Sequence, residues 1–145
     1  MKFGKIIVVS MFSLLLMNFQ CDGEDAVQLS TCDVAVVLDN SIYETIESDF
    51  YSLTTAEIDG DCLNVNITAS GCDGATWVLT LVDSEEIAES MPPQRYLKLA
   101  LANNEVCLAV FNKEQSFDLT GLKIDGVSEL LLNIEYFSGS LMYTY

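Results

Sequence analysis

The chain contains no histidine. That removes the commonest general base, and with it His-dependent triads and His-ligated zinc sites. Basic residues are also scarce, six against 22 acidic ones, for a net charge of −16. A surface that negative repels phosphate backbones and anionic lipid headgroups, so nucleic acid is not an expected partner. Its simplest role is to keep the protein soluble. The only two prolines are adjacent, Pro92 and Pro93, and they keep that stretch out of any central strand. No Cys-x-x-Cys knuckle occurs among the five cysteines, which argues against a zinc site and leaves no cofactor or metal expected. A reactive thiolate is not expected either, since its usual cationic neighbours are few. Ser138-Gly139-Ser140 reads as a turn, because a nucleophile elbow needs Gly-x-Ser-x-Gly between strand and helix. No internal repeat or low-complexity segment is present.

The longest apolar run covers residues 6–17 and is broken by Ser10 and Ser13. It is shorter than the roughly 20 residues that cross a bilayer comfortably. A basic start with Lys2 and Lys5 precedes it, and Asn18-Phe19-Gln20-Cys21 follows. Basic start plus short apolar run is the pattern of a secretory signal. No small-residue pair of Ala-x-Ala type stands nearby to direct ordinary cleavage. A cysteine ends the run, and acidic Asp22-Gly23-Glu24-Asp25 begins directly behind it. This layout predicts a lipoprotein signal over residues 1–20, lipidation at Cys21, and an acidic tether over residues 21–30. Lipid chains contribute roughly 0.8 kcal/mol per buried methylene, and two or more signals give stable anchoring. The membrane is then a partner through lipid on Cys21. The usual box has Leu three positions before the cysteine and a small residue one before; here those positions hold Asn18 and Gln20. Such loose boxes resemble those of Bacteroidota lipoproteins, and acidic residues after the cysteine are similar to their surface-export signal. The expected location is therefore the cell envelope, as an outer-membrane lipoprotein with surface exposure as one option.

Removing residues 1–20 leaves all 22 acidic residues but only Arg95, Lys98, Lys113 and Lys123, a net charge of −18. If Cys21 carries lipid, Cys32, Cys62, Cys72 and Cys107 remain. An even number in an exported chain predicts two disulfides, with three connectivities open.

Residues 31–145 have the size of a single domain, and their alternation of apolar and polar residues is a strand signal. Residues 51–58 and 62–68 flank Asp59-Gly60-Asp61, which predicts a hairpin with Asp-Gly in a type I′ turn and Leu63, Val65 and Ile67 on one face. Residues 76–82 align Trp77, Leu79 and Leu81. Residues 96–102 and 106–111 read as a second hairpin around Asn103-Asn104. Residues 130–136 and 141–145 make a third around Ser138-Gly139, and 34–38 add a leading strand. Helix is expected only over residues 41–48 and 84–89. The fold class is all-β: an antiparallel β-sandwich of about eight short strands, immunoglobulin- or transthyretin-like in general shape.

Ala56-Glu57-Ile58-Asp59-Gly60-Asp61-Cys62-Leu63 resembles a family of uncharacterised Bacteroidota β-rich lipoproteins. Ser70-Gly71-Cys72, Glu89-Ser90-Met91-Pro92-Pro93-Gln94, Glu105-Val106-Cys107 and Phe117-Asp118-Leu119 extend the likeness over roughly residues 50–145. The resemblance implies an exported β-rich domain with a bridge between Cys72 and Cys107, which leaves Cys32 to reach Cys62. Each bridge contributes about 2–4 kcal/mol by restricting the unfolded chain. The resemblance implies no activity. Members tend to carry a histidine shortly after Cys72; here Asp73-Gly74-Ala75-Thr76 stands instead.

The functional expectation is a non-enzymatic accessory or binding module with a protein or glycan partner. Tyr43, Tyr51, Trp77, Tyr96, Tyr136, Tyr143 and Tyr145 are candidates for stacking on sugars, although core packing accounts for most such positions. One alternative is a small hydrolase acting on glycans through two carboxylates. Another is a calcium-stabilised module using Asp59-Gly60-Asp61, although the flanking alternation favours a plain hairpin turn there. Asn66-Ile67-Thr68 matches a glycosylation acceptor but lies inside a strand.

Overall fold

The computed structural model describes residues 31–145. The expected signal over 1–20, the tether over 21–30 and the lipidation site Cys21 lie outside the described residues. The strands are β1 (Val34–Ala35), β2 (Val37–Leu38), β3 (Ser52–Asp59), β4 (Cys62–Gly71), β5 (Val78–Ala88), β6 (Gln94–Ala102), β7 (Ala109–Asp118), β8 (Glu129–Ile134) and β9 (Leu141–Thr144). Among the described residues a short helix, α1 (Asn40–Thr45), precedes β3, and a 3-10 turn (Thr120–Leu122) follows β7. One sheet has the order β1-β7-β4-β3 and the other β2-β5-β6-β8-β9. The fold is an all-β sandwich.

Alternation builds its core. Leu63, Val65, Ile67 and Ala69 of β4 turn inward to meet Leu79 and Leu81 of β5, Leu97, Leu99 and Leu101 of β6, and Leu130 and Leu132 of β8. Burying one such side chain fully contributes about 1.5–3 kcal/mol. The outer face of the β4 sheet stays wet: Asn66 donates to Glu114, and Thr68 donates to Asn112.

The strands pair in both senses. β3–β4, β4–β7, β5–β6 and β8–β9 are antiparallel, whereas β1–β7, β2–β5 and β6–β8 are parallel. The sheets are therefore mixed rather than purely antiparallel. The leading strand is the clearest cause. It divides at the buried Val36, so that β1 joins one sheet and β2 the other.

The first hairpin forms as expected, with Asp59 opposite Cys62. Its two loop residues are Gly60 and Asp61, and of these only Gly60 has positive φ, at 57°. That matches a type II′ turn, which takes glycine first, rather than type I′. The last hairpin also forms, pairing Leu130 with Tyr143.

The middle hairpin does not form. β6 pairs with β5 and β8, while β7 joins β4 in the other sheet. The Asn103 side chain donates to the Ser70 carbonyl and its backbone N–H to Asp49, so the chain leaves the sheet at this point and crosses over.

Residues 84–89 also depart from expectation: 84–88 belong to β5 rather than to a helix. Asp83 accepts from the Glu85 N–H and Ser84 from the Glu86 N–H, while Glu85 has φ 59°. These local bonds make a bulge between Asp83 and Ile87, and pairing with β6 outweighs helix propensity. The first expected helix shortens to α1, capped by Asp39, which accepts from the Ile42 N–H.

Candidate functional site

β8 ends at Ile134, whereas β6, its parallel neighbour from Gln94 to Leu97, continues to Ala102. The second half of β6 therefore lacks a strand partner on that side. The chain between α1 and β3 takes the vacant place. Asp49 N–H donates to the Leu101 carbonyl at 2.8 Å, Ser48 Oγ accepts from the Leu101 N–H at 2.9 Å, and Tyr51 Oη donates to the Leu99 carbonyl at 2.6 Å. A segment substitutes less completely than a strand, and a groove of about 630 Å³ remains. That lies inside the usual range for small-ligand sites, about 300–1,000 Å³. Its lining includes Asp49, Phe50, Tyr51, Lys98, Glu135 and Tyr136.

Two aromatic side chains at this groove are almost wholly in water: Phe50 is 93% exposed and Tyr136 95%. Tyr136 also has φ 63°, in the left-handed region that bulky residues rarely occupy. The neighbouring Phe137 packs on the core and its N–H donates to the Ile134 carbonyl, so the turn sends Phe137 inward and Tyr136 outward. Strained, exposed residues of this kind concentrate at functional sites.

Lys98, the one cation that lines the groove, is already engaged. Lys98 Nζ donates to the Tyr43 carbonyl at 2.6 Å, lies 4.6 Å above the Tyr43 ring, and sits 3.6 Å from Glu135. Burial, with the negative charge of Glu135 nearby, pushes the Tyr51 phenol up to about 12, so it remains a hydrogen-bond donor at physiological pH.

A second, shallower groove of about 360 Å³ lies on the outer face of the β4 sheet, lined by Asp33, Glu57, Asn64, Asn66 and Glu114 among others. Asp33 accepts from the Ser116 hydroxyl and N–H, which lowers its carboxyl from the usual value. Burial raises the Asp83 carboxyl against the opposing pull of Arg95, but Asp83 is enclosed in the protein interior and lines neither groove. The Asp61 carboxylate accepts from Tyr143 at 2.6 Å and pairs with Lys123, which hold its carboxyl down.

The structure joins Cys32 to Cys62 and Cys72 to Cys107. Beside the second bridge, Glu105 accepts from the N–H groups of Cys72, Asp73, Gly74 and Thr76 and from the Thr76 hydroxyl. A Cβ at Gly71 would collide with Glu105 and with the Trp77 ring, so glycine is required there. Desolvation opposes ionisation of Glu105, yet the converging N–H groups outweigh it and hold the carboxyl at about 2.

Of the aromatic candidates, Trp77 and Tyr143 are core residues, and Tyr145 is packed against the core. Tyr51 and Tyr136 come together at the groove, with Tyr43 beneath Lys98. Phe50 was absent from that set. Its signal is an aromatic placed between the polar run Glu47-Ser48-Asp49 and the expected strand start at Tyr51, outside the strand alternation.

Two solved structures share the fold. One is a Bacteroides vulgatus protein of unknown function, DUF1344, at TM-score 0.52 and 16% identity, covering 79% of this chain and 56% of that one. The other is a Parabacteroides distasonis protein named for a suspected relation to toxins, at TM-score 0.51 and 18% identity, covering 79% and 60%. This chain thus spans under two thirds of either protein. No protein-family model and no curated protein matches the chain.

Proposed function

We propose that the protein is a lipid-anchored, non-enzymatic binding module of the cell envelope, held by lipid on Cys21 and taking its ligand in the groove beside β6. The observation that carries this reading is the exposure of Phe50 and Tyr136 at one groove. Large apolar rings left in water at a concave site mark binding surfaces. The signal layout over residues 1–20 supports export, and the two disulfides fit an oxidising compartment. The acidic residues lining the groove, Asp49 and Glu135, are bonded to Asn103 N–H and paired with Lys98 respectively, which favours recognition over proton transfer.

The test has two parts. Intact-mass analysis of the membrane fraction is expected to show an acylated chain beginning at Cys21, and Cys21→Ala should release the protein. An unacylated mature chain, or retention of the variant, would defeat the anchor. Hydroxyl-radical footprinting in the presence of envelope extract should protect Phe50 and Tyr136. Equal oxidation with and without extract would defeat the binding groove.

A further inference from the structure

We infer that the groove recognises a neutral glycan, with Phe50 and Tyr136 as stacking platforms for pyranose rings; this deepens the binding-module reading and rests on it. Three observations distinguish this ligand from others. First, the backbone that carries the Tyr136 platform is fixed by a turn. Tyr136 is held outward by the inward Phe137 and the Phe137 N–H bond to Ile134, so its ring is presented without the entropy cost of ordering a flexible loop. An aromatic ring covers the apolar C–H face of a sugar, while the sugar's equatorial hydroxyls reach polar groups beside it. Those groups are here, in the Ser52 hydroxyl and in the carboxylates of Asp49 and Glu135, which keep acceptor positions beyond their contacts with the Asn103 N–H and Lys98.

Second, an anionic ligand is disfavoured. Lys98 is the groove's one basic residue among those lining it, and it is already bound to the Tyr43 carbonyl and paired with Glu135. Third, an extended peptide is disfavoured. Peptides commonly bind by adding a strand to an open sheet edge. At this edge the Leu99 carbonyl, the Leu101 carbonyl and the Leu101 N–H are taken by Tyr51, Asp49 and Ser48. The main-chain ladder that would hold a peptide is already occupied by the protein's own chain. Recognition is left to side chains, which suits a ligand rich in hydroxyls.

The experiment uses the full-length protein in a polyoxyethylene detergent, which presents no sugar. Native gels are cast with soluble starch, mixed-linkage β-glucan, arabinoxylan, galactomannan or α-mannan. At least one should retard the protein, and Phe50→Ala or Tyr136→Ala should weaken that binding at least tenfold, while Tyr136→Phe retains it. Both positions are over 90% exposed, so unchanged thermal melting checks that the variants remain folded. Retardation by none of the polysaccharides overturns the proposal, as does retardation that both alanine variants retain. A parallel titration with a Lys/Arg-rich peptide library separates the two readings. Peptide binding lost in Phe50→Ala, with no polysaccharide binding, defeats the glycan and leaves the groove. Loss of neither, with no footprint, defeats both.

Discussion

Tyr143 donates its hydroxyl to the Asp61 carboxylate at 2.6 Å, across 82 positions of sequence. The bond ties the last strand to the turn of the first hairpin, and Lys123 completes the cluster at 2.9 Å from Asp61. Asp61 therefore serves as a structural anchor. Tyr143→Phe removes the donor while keeping the ring. It should cost about 1.5–3 kcal/mol, the usual worth of a hydrogen bond to a charged group. Denaturant unfolding of the variant checks this; an unchanged midpoint would show that the bond contributes nothing.

Glu105 makes the fold sensitive to acid. Its carboxyl lies at about 2 in the folded protein against an ordinary 4.5. The carboxylate's stabilisation is complete above pH 4.5 and is lost as pH falls toward 2, because the unfolded chain takes up the proton first. Melting temperature of the native protein should drop across that window. Glu105→Gln should lower it at neutral pH and flatten the slope over the same acid range. An unaltered slope would assign the acid sensitivity to other carboxylates.

Arg95 and Asp83 form a buried pair at 2.7 Å, with the Asp83 side chain wholly enclosed. Arg95→Met leaves an unpaired buried carboxylate and should destabilise by about 3–5 kcal/mol. Asp83→Leu combined with Arg95→Met should recover part of that loss: the apolar pair carries no desolvation penalty, but the Glu85 N–H loses its acceptor. A double-mutant cycle in urea measures the coupling, and additive losses would contradict it.

Tyr136 holds a backbone conformation better suited to glycine. Tyr136→Gly should relieve about 1 kcal/mol of strain, partly offset by the greater freedom of glycine in the unfolded chain. Stability should hold or rise while binding in the groove falls. Calorimetry beside the native-gel assay reads both quantities, and a clear drop in melting temperature would show that the Tyr136 ring supports the fold.

Cys72 and Cys107 close a span of 35 residues. Replacing both with serine should cost about 2–4 kcal/mol. Peptide mapping without reductant should recover the Cys72–Cys107 and Cys32–Cys62 cross-links. Free thiols at these positions would refute the pairing.

Much of the fold is legible in the sequence because it is local. The period-2 rows Leu63-Val65-Ile67 and Leu97-Leu99-Leu101 dictate strands with one buried face, and Asp59-Gly60-Asp61 dictates a reversal between two of them. The lack of histidine and the excess of acid narrow the range of chemistry by composition alone. What alternation cannot encode is which strand lies beside which. The middle hairpin fails for that reason. Residues 96–102 and 109–118 both form strands, yet Asn103, Glu105 and Cys107 bind groups in the 49 and 70–76 regions and carry the chain to the other sheet. Residues 84–88 join β5 because pairing with β6 outweighs a weak helical preference.

The groove belongs to the same category. Nothing local to Phe50 or Tyr136 says that they share a surface, since 86 positions separate them. They meet because β8 stops short of the end of β6 and the chain after α1 fills only part of the gap. Periodicity and turn chemistry, which act over a few residues, were determined by the sequence alone. Strand partners, the split of the leading strand at Val36 and the groove were decided by long-range hydrogen bonds and packing, which exist only once the two sheets are face to face.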